Sequence, residues 1–221
     1  MSVFFHYIDS MFYWVKTHWI IKKIFSRYLW SKAQNEKVVY LTFDDGPTPQ
    51  ITDWVLQQLQ QFNAKATFFC IGKNIEEQPE IFHRLLKSEN AIGNHTQNHI
   101  NGWTSSTDIY LENIEKCEIA IGNLSNQTPK YFRPPYGKIT SRQATAVLQK
   151  GYKIIMWDVL SADFDQTITA EKCLNNVLDN VKPGSIIIFH DSEKAWQNLQ
   201  YVLPKVLRFL KENDFESKLL D

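Results

Sequence analysis

The chain has 221 residues, with 24 Lys plus Arg set against 24 Asp plus Glu. That length suits one α/β barrel-sized domain with a substantial core, and balanced charge argues against the global field of a nucleic-acid binder or an acidic tail. Three cysteines, Cys70, Cys117 and Cys173, lie far apart with no CxxC pair, which argues against a zinc knuckle or a disulfide framework, and their odd number points to a reducing compartment.

The first thirty residues, "MSVFFHYIDSMFYWVKTHWIIKKIFSRYLW", are aromatic but interrupted by Asp9, Lys16, Lys22, Lys23 and Arg27. No apolar run is long enough to span a bilayer. The basic residues follow the first apolar stretch and no small-residue cleavage site is evident, so the segment is expected in the mature protein, not as a secretory signal. Two uses fit it: packing across the domain, the commoner use of aromatic side chains, or a basic amphipathic helix lying on a membrane surface. A cytoplasmic location is expected, with peripheral membrane contact as the alternative.

From Val38 onward short β-rich runs alternate with helical patterns, the signature of βαβ units and a mainly parallel sheet. Strands are predicted at 38–43, 66–71, 91–95, 130–133, 153–159 and 185–190. Helices are predicted at about 50–62, 76–88, 108–122, 141–150, 170–180 and 196–212. Asp44, Asp45, His95, Arg133, Asp163 and His190 then all fall at or just beyond the C-terminal end of a predicted strand, the rim on which parallel α/β folds build active sites.

Five short stretches carry chemistry. "LTFDDGP" ends an apolar run with adjacent carboxylates, Asp44 and Asp45; the chain turns there, so one can bind a cation while the other meets the water on it, and a divalent ion would relieve their repulsion. Alone, the pair also reads as a solvated Asp-Gly turn. "GNHTQNH" places His95 and His99 four apart, which on a helical turn would let two imidazoles converge on one metal. Thr96 stands where zinc peptidases of the HExxH type carry their base, so another residue must take the proton. His6, His18 and His83 have no such neighbours and are expected to be structural or exposed. "YFRPPYGK" sets Arg133 on a turn stiffened by Pro134 and Pro135, suited to holding a carboxylate bidentately. "MWDVLSADFD" and "SIIIFHDS" supply Asp163 and His190, an Asp–His pair of the kind that raises imidazole basicity so that it can act as a general acid.

These motifs, in this order, resemble the polysaccharide deacetylases of carbohydrate esterase family 4, which share the NodB homology domain. The resemblance runs from about residue 38 to 215 and divides the chain into the segment 1–37 and a catalytic domain, 38–221. It implies a single-domain distorted (β/α) barrel with mostly parallel strands, fewer of them closed than the regular eight. It further implies Asp45, His95 and His99 as ligands of one divalent metal, usually zinc, with cobalt, nickel or manganese serving in some members. Asp44 would be the general base, oriented by Arg133, and His190 the general acid, tuned by Asp163. The backbone N–H of Tyr136 would stabilise the oxyanion, and Pro135, Tyr136 and Phe164 would contact substrate. Phe164 stands where the fourth motif usually has Trp, and Leu160 where many members have Asp, which touches substrate shape more than chemistry. The expected activity is metal-dependent removal of acetyl groups from N-acetylated sugars of a poly- or oligosaccharide, with no nucleic-acid partner. Two rivals remain: a glycoside hydrolase pairing Asp44 with Asp163 or Asp191, and a non-catalytic carbohydrate-binding domain on the same fold.

Overall fold

Strand β1 (Val38–Asp44) is buried along all seven residues, because it has a neighbour on either side and packing on both faces. The computed structural model describes residues 13–33, 35–125 and 128–220; residues 1–12 of the N-terminal segment lie outside the described residues. Along β1 the strand period sorts the side chains. Val39, Leu41 and Phe43 join the main apolar cluster under the helices, where the Phe43 ring stacks on Phe68 and Phe189, while Val38 and Tyr40 point to a second cluster inside the sheet's curl. The inward register also carries Thr42 and Asp44, which is how a carboxylate comes to sit inside the curl.

Around β1 lie β2 (Ala66–Cys70), β3 (Ala91–Asn94), β4 (Tyr131–Phe132), β5 (Lys153–Ile154), β6 (Val159–Leu160) and β7 (Ile186–His190), in the order β5-β4-β3-β2-β1-β7-β6, every pair parallel. A short β8 (Glu216–Ser217) joins the start of β1. The result is a curled half-barrel, the distorted parallel α/β barrel that the family resemblance implied. Helices α2 (Ile51–Gln61), α3 (Gly72–Glu77), α4 (Pro79–Lys87), α5 (Thr107–Ser125), α6 (Ser141–Gln149), α7 (Ala170–Leu178) and α8 (Trp196–Glu212) form the crossovers. The predicted helix 76–88 is in fact two, divided at Gln78, because Pro79 starts a new helix at a position where its missing N–H costs nothing.

The predicted strand 153–159 also divides. Its middle leaves the sheet because the carbonyls of Ile155 and Met156 turn to the Arg133 guanidinium, accepting from Nε at 3.2 Å and Nη2 at 3.0 Å. That leaves β5 and β6 as the two outer strands, and residues 15–31 lie against both. Leu29 bridges Ile155, Lys16 bridges Val159 and Ser31 bridges Ser185. Between these bridges runs α1 (Trp19–Ile24), capped by the His18 side chain, which accepts from the Ile20 N–H. Lys16 and Lys22 both grip the buried Asp158 carboxylate, which Ser185 also contacts.

Candidate active site

The C-terminal rim of the half-barrel opens into a cleft of about 420 Å³ lined by Asp44, Asp45, His95, His99, Tyr136 and His190, with Leu160 and Phe164 on its apolar side. All the residues expected to carry chemistry are brought to this rim or directly behind it. Each is placed by a distinct local device.

Asp44 ends β1 and accepts from Arg133 Nη1 at 2.7 Å. The guanidinium is wholly buried; the same Nη1 donates to Thr42 Oγ1, and the plane lies over the Phe69 ring, 4.2 Å from its centroid. The expected bidentate clasp is a single N–H contact, since Nε and Nη2 donate instead to the Ile155 and Met156 carbonyls. Arg133 is fixed as a girder between β1, β4 and the break after β5. Its charge still lies against the Asp44 carboxylate.

Asp45 leaves the strand with φ 83°, which breaks the alternation of faces and lets it turn toward the same cleft as its neighbour. The turn rests on Asp191, whose carboxylate accepts from the Gly46 N–H at 3.1 Å and from the Thr52 hydroxyl at 2.6 Å. A side chain at position 46 would put Cβ 2.0 Å from Asp191 Oδ2, so glycine is required for this close approach. Burial, and beyond it the Asp45 charge, push the Asp191 carboxyl up to about 8. The sequence signalled Asp191 only as a rival catalytic carboxylate; its partners lie some 140 positions upstream, beyond the reach of any local pattern.

His95 and His99 converge with Asp45, but not on a helical turn. Residues 95–100 form an irregular loop in which Thr96 (φ 65°) and His99 (φ 52°) are left-handed. Asn94 holds its start by accepting from the Thr96 N–H, and α5 holds its middle through the Asn113 carbonyl and side chain, which accept from the Gln97 and Asn98 N–H groups. The i, i+4 spacing is thus coincident with, not explained by, helical geometry. The His95 ring hydrogen-bonds through Nδ1 to the Arg133 carbonyl at 2.8 Å, a bond in which that nitrogen must donate, so Nε2 presents its lone pair to the cleft. His99 contacts the Tyr136 hydroxyl through Nδ1 at 3.2 Å and faces Asp45 Oδ1 at 3.3 Å through Nε2.

One ligand atom from each of Asp45, His95 and His99 lies within 4.8 Å of the others. Asp45 Oδ1 is buried without a hydrogen-bond partner. Burial, reinforced by His99, holds the His95 imidazole well below its ordinary range, and burial lowers His99 as well. Two neutral imidazoles and an unpartnered carboxylate oxygen form a donor set that fits a single divalent cation, and three protein ligands leave positions open for water and substrate.

On the opposite wall, His190 ends β7. Its Nδ1 meets Asp163 Oδ1 at 2.7 Å, and its backbone N–H donates to Asp163 Oδ2 at 2.8 Å. Burial alone would depress this imidazole; the Asp163 charge and hydrogen bond, assisted by Asp45 and Asp44, outweigh it and raise the group to about 9. Asn198 on α8 donates to the Asp163 and Asp165 carbonyls and so fixes the loop. The Phe164 ring stands edge-on to His190 at 5.0 Å.

Tyr136 is 60% exposed at the cleft mouth with φ 60°, where the Pro134–Pro135 turn forces the chain into left-handed geometry. Gly137 follows at φ 67°, and a Cβ there would stand 2.7 Å from the Trp157 ring. Pro135 is buried beneath the turn and is not among the lining residues; Pro134 occupies the cleft wall instead. Trp157, Lys138 and Lys194 also line the cleft; the first two lie within quoted motifs without having been assigned a role, and Lys194 lies outside every motif.

Residues 31–155 match the family model described as polysaccharide deacetylase. The chain belongs to the polysaccharide deacetylase family. It is 37% identical to a peptidoglycan-N-acetylglucosamine deacetylase of Bacillus cereus over 81% of this chain and 64% of that relative, so it spans just under two thirds of that protein. It is 34% identical to a chitooligosaccharide deacetylase of Azorhizobium caulinodans over 72% of this chain and 76% of the relative. Among solved structures, the Bc1960 peptidoglycan N-acetylglucosamine deacetylase in complex with 4-naphthalen-1-yl-N-oxidanyl-benzamide superposes with a TM-score of 0.83 at 36% identity, covering 88% of this chain and 91% of that one. The half-barrel fold is therefore that of a carbohydrate-esterase deacetylase.

Proposed function

We propose that this rim hydrolyses the acetamide of an N-acetylated sugar within a poly- or oligosaccharide, releasing acetate, with N-acetylglucosamine units as the substrate class. The observation that carries this reading is the meeting, in one cleft, of the Asp45–His95–His99 donor set with two further groups of opposite character: the Asp44 carboxylate and the proton-bearing His190. The relatives' names supply the sugar; the geometry supports the chemistry.

Asp45, His95 and His99 would hold a divalent ion, best matched by zinc, with cobalt, nickel or manganese able to use the same donors. When bound, that ion supplies Lewis acidity, lowering the pKa of a water and polarising the acetyl carbonyl. Asp44, its carboxylate fixed by Arg133, takes the proton from the attacking water. The backbone N–H of Tyr136 donates to the oxygen that gains negative charge. His190 gives its proton to the amide nitrogen as the C–N bond breaks, and Asp163 holds the imidazole in the orientation that places this proton. Leu160 and Phe164 form an apolar wall that limits water around the acetyl group.

A glycoside hydrolase reading fits less well. Asp163 has both oxygens occupied by His190, and Asp191 is wholly buried with both oxygens bonded to Gly46 and Thr52. Neither offers a carboxylate to a glycosidic oxygen. A non-catalytic role would leave the assembled set without a use.

Purified protein reconstituted with zinc should release acetate, and no new reducing ends, from chito-oligosaccharides or peptidoglycan fragments. Reducing ends without acetate would sink the reaction class, and full acetate release by Asp44→Asn would sink the assignment of the base.

A further inference from the structure

The catalytic motifs make no use of residues 13–33, which carry Lys16, Lys22, Lys23, Arg27 and Lys32 and no acidic residue at all. Lys16 and Lys22 are spent on Asp158. Lys23 and Arg27 remain on the surface; among the described residues Arg27 makes a long contact of 3.4 Å to the Thr145 hydroxyl. The local charge is therefore strongly positive on a chain whose total is zero.

Helix α1 buries none of its residues. Trp19 is 63% exposed, Ile24 65%, Phe25 44% and Ile20 43%, with Trp14 at 49% just upstream. Ten large apolar side chains are exposed among the described residues, and these five come from twelve consecutive positions. A helix of six residues has no stability of its own in water. This one is held by the strand bridges on either side of it, by the Lys16 and Lys22 contacts to Asp158 and by Ile21 against the inner apolar cluster; Phe25 stacks on Tyr28, while Trp19, Ile20 and Ile24 stay turned to solvent. A local concentration of exposed apolar side chains of this kind marks a surface that something else covers.

The residue types say what covers it. Tryptophan and aliphatic side chains flanked by lysine and arginine, without carboxylates, match the headgroup layer of an anionic membrane, where indole rings sit at the boundary and basic groups meet phosphates. The sequence immediately upstream, "MSVFFHYIDSMF", adds Phe4, Phe5, Tyr7, Ile8, Met11 and Phe12 to the same end of the chain. No helix among the described residues is long and apolar enough to cross a membrane.

We infer that α1 and its flanks form a docking surface for an anionic lipid membrane, with Trp19, Ile24 and Phe25 seated in the headgroup layer and Lys23 and Arg27 against lipid phosphates. The patch adjoins the substrate side of the molecule. A cleft of about 330 Å³ between Trp14, Ile21, Trp103 and Trp157 shares Tyr136 and Leu160 with the catalytic cleft. Docking through α1 would hold that side close to the lipid surface.

Sedimentation of the full chain with vesicles tests this directly. Binding is expected to equal mixtures of phosphatidylglycerol and phosphatidylcholine, weakened by salt, and absent with phosphatidylcholine alone. Combined Trp19→Ser, Ile24→Ser and Phe25→Ser should reduce partitioning about tenfold or more, and so should the milder Lys23→Glu with Arg27→Glu, both with undiminished acetate release from a soluble oligosaccharide. No binding to the mixed vesicles, or binding unchanged in both variants, overturns the inference. So does a wild-type dimer that the serine variant converts to monomer, since the patch would then belong to a second copy of the chain.

Discussion

Two histidines, His95 buried and His190 half-buried, sit on opposite walls of one cleft and are driven in opposite directions. His95 is held well below its ordinary range, while His190 is raised to about 9. Burial works against the charged form at both. What separates them is the charge around each ring: at His95 burial is reinforced by His99, and the Nδ1 partner is the neutral Arg133 carbonyl, which fixes the tautomer and frees a lone pair; at His190 the Nδ1 partner is the Asp163 carboxylate, which adds the charge that retains a proton. The neighbouring charges, more than the imidazole itself, set whether such a residue offers an electron pair or a proton.

The sharpest break of that comparison is substitution of each histidine by alanine. His95→Ala is expected to lose stoichiometric zinc, measured by metal analysis, together with more activity than the roughly hundredfold that one transition-state contact supplies. His190→Ala should lose about a hundredfold or more in kcat while keeping full zinc content. Equal metal loss in both variants would erase the distinction.

Asp163→Asn tests the cause of the high His190 value. With the Asp163 charge gone, only Asp45 and Asp44 still oppose burial, and the alkaline limb of the kcat profile should move down by about two pH units, with kcat reduced on the order of tenfold. The sign carries into stability. A group raised in the folded state from 6.5 to about 9 stabilises metal-free protein fully below about pH 6.5, and the benefit disappears as pH rises through about 9. This is on the order of 3 kcal/mol. Denaturant midpoints of the metal-free protein should therefore fall between pH 7 and pH 10 in the parent and fall less in Asp163→Asn.

Asp191→Ala sharpens the other wall. It leaves all three metal donors in place but removes the acceptor of the Gly46 N–H beneath Asp45. Zinc affinity is expected to weaken about 10- to 100-fold, the usual cost of losing a group that orients a ligand. Titration against a competing chelator reads it. The smallest effect is at the rim: Phe164→Trp, restoring the commoner aromatic beside His190, should alter kcat/KM among oligosaccharide lengths about threefold while leaving the pH profile unchanged.

Much of this site was legible because strand ends are marked twice, by an apolar run that stops and by a polar residue where it stops. Asp44, His95, Arg133 and His190 are all found on that rule. The mainly parallel sheet followed from alternating strand and helix patterns, its closure into a distorted barrel only from the family resemblance, and α8 and β1 lie close to their predicted bounds. What escaped was set by distant partners. Nothing near residue 155 announces that its carbonyl will face a guanidinium from residue 133 and interrupt a strand. The His95–His99 loop has helical spacing without helical geometry, because Asn94 and Asn113 satisfy its backbone in place of i→i−4 bonds. Arg133 could be assigned to a carboxylate from its chemistry, but its single contact depends on where its other N–H groups go.

The bridges from residues 15–31 to both outer strands have one more consequence. Sheet edges with unpaired N–H and C=O groups are templates for intermolecular pairing, and here β5 and β6 each turn such an edge toward the N-terminal segment and have it covered. A shortened chain beginning at β1 would retain every catalytic motif, yet it would expose both edges together with the buried Asp158 stripped of its two lysines. Such a chain is expected to self-associate through those edges, which makes the segment ahead of the first motif a guard of solubility as well as the bearer of α1.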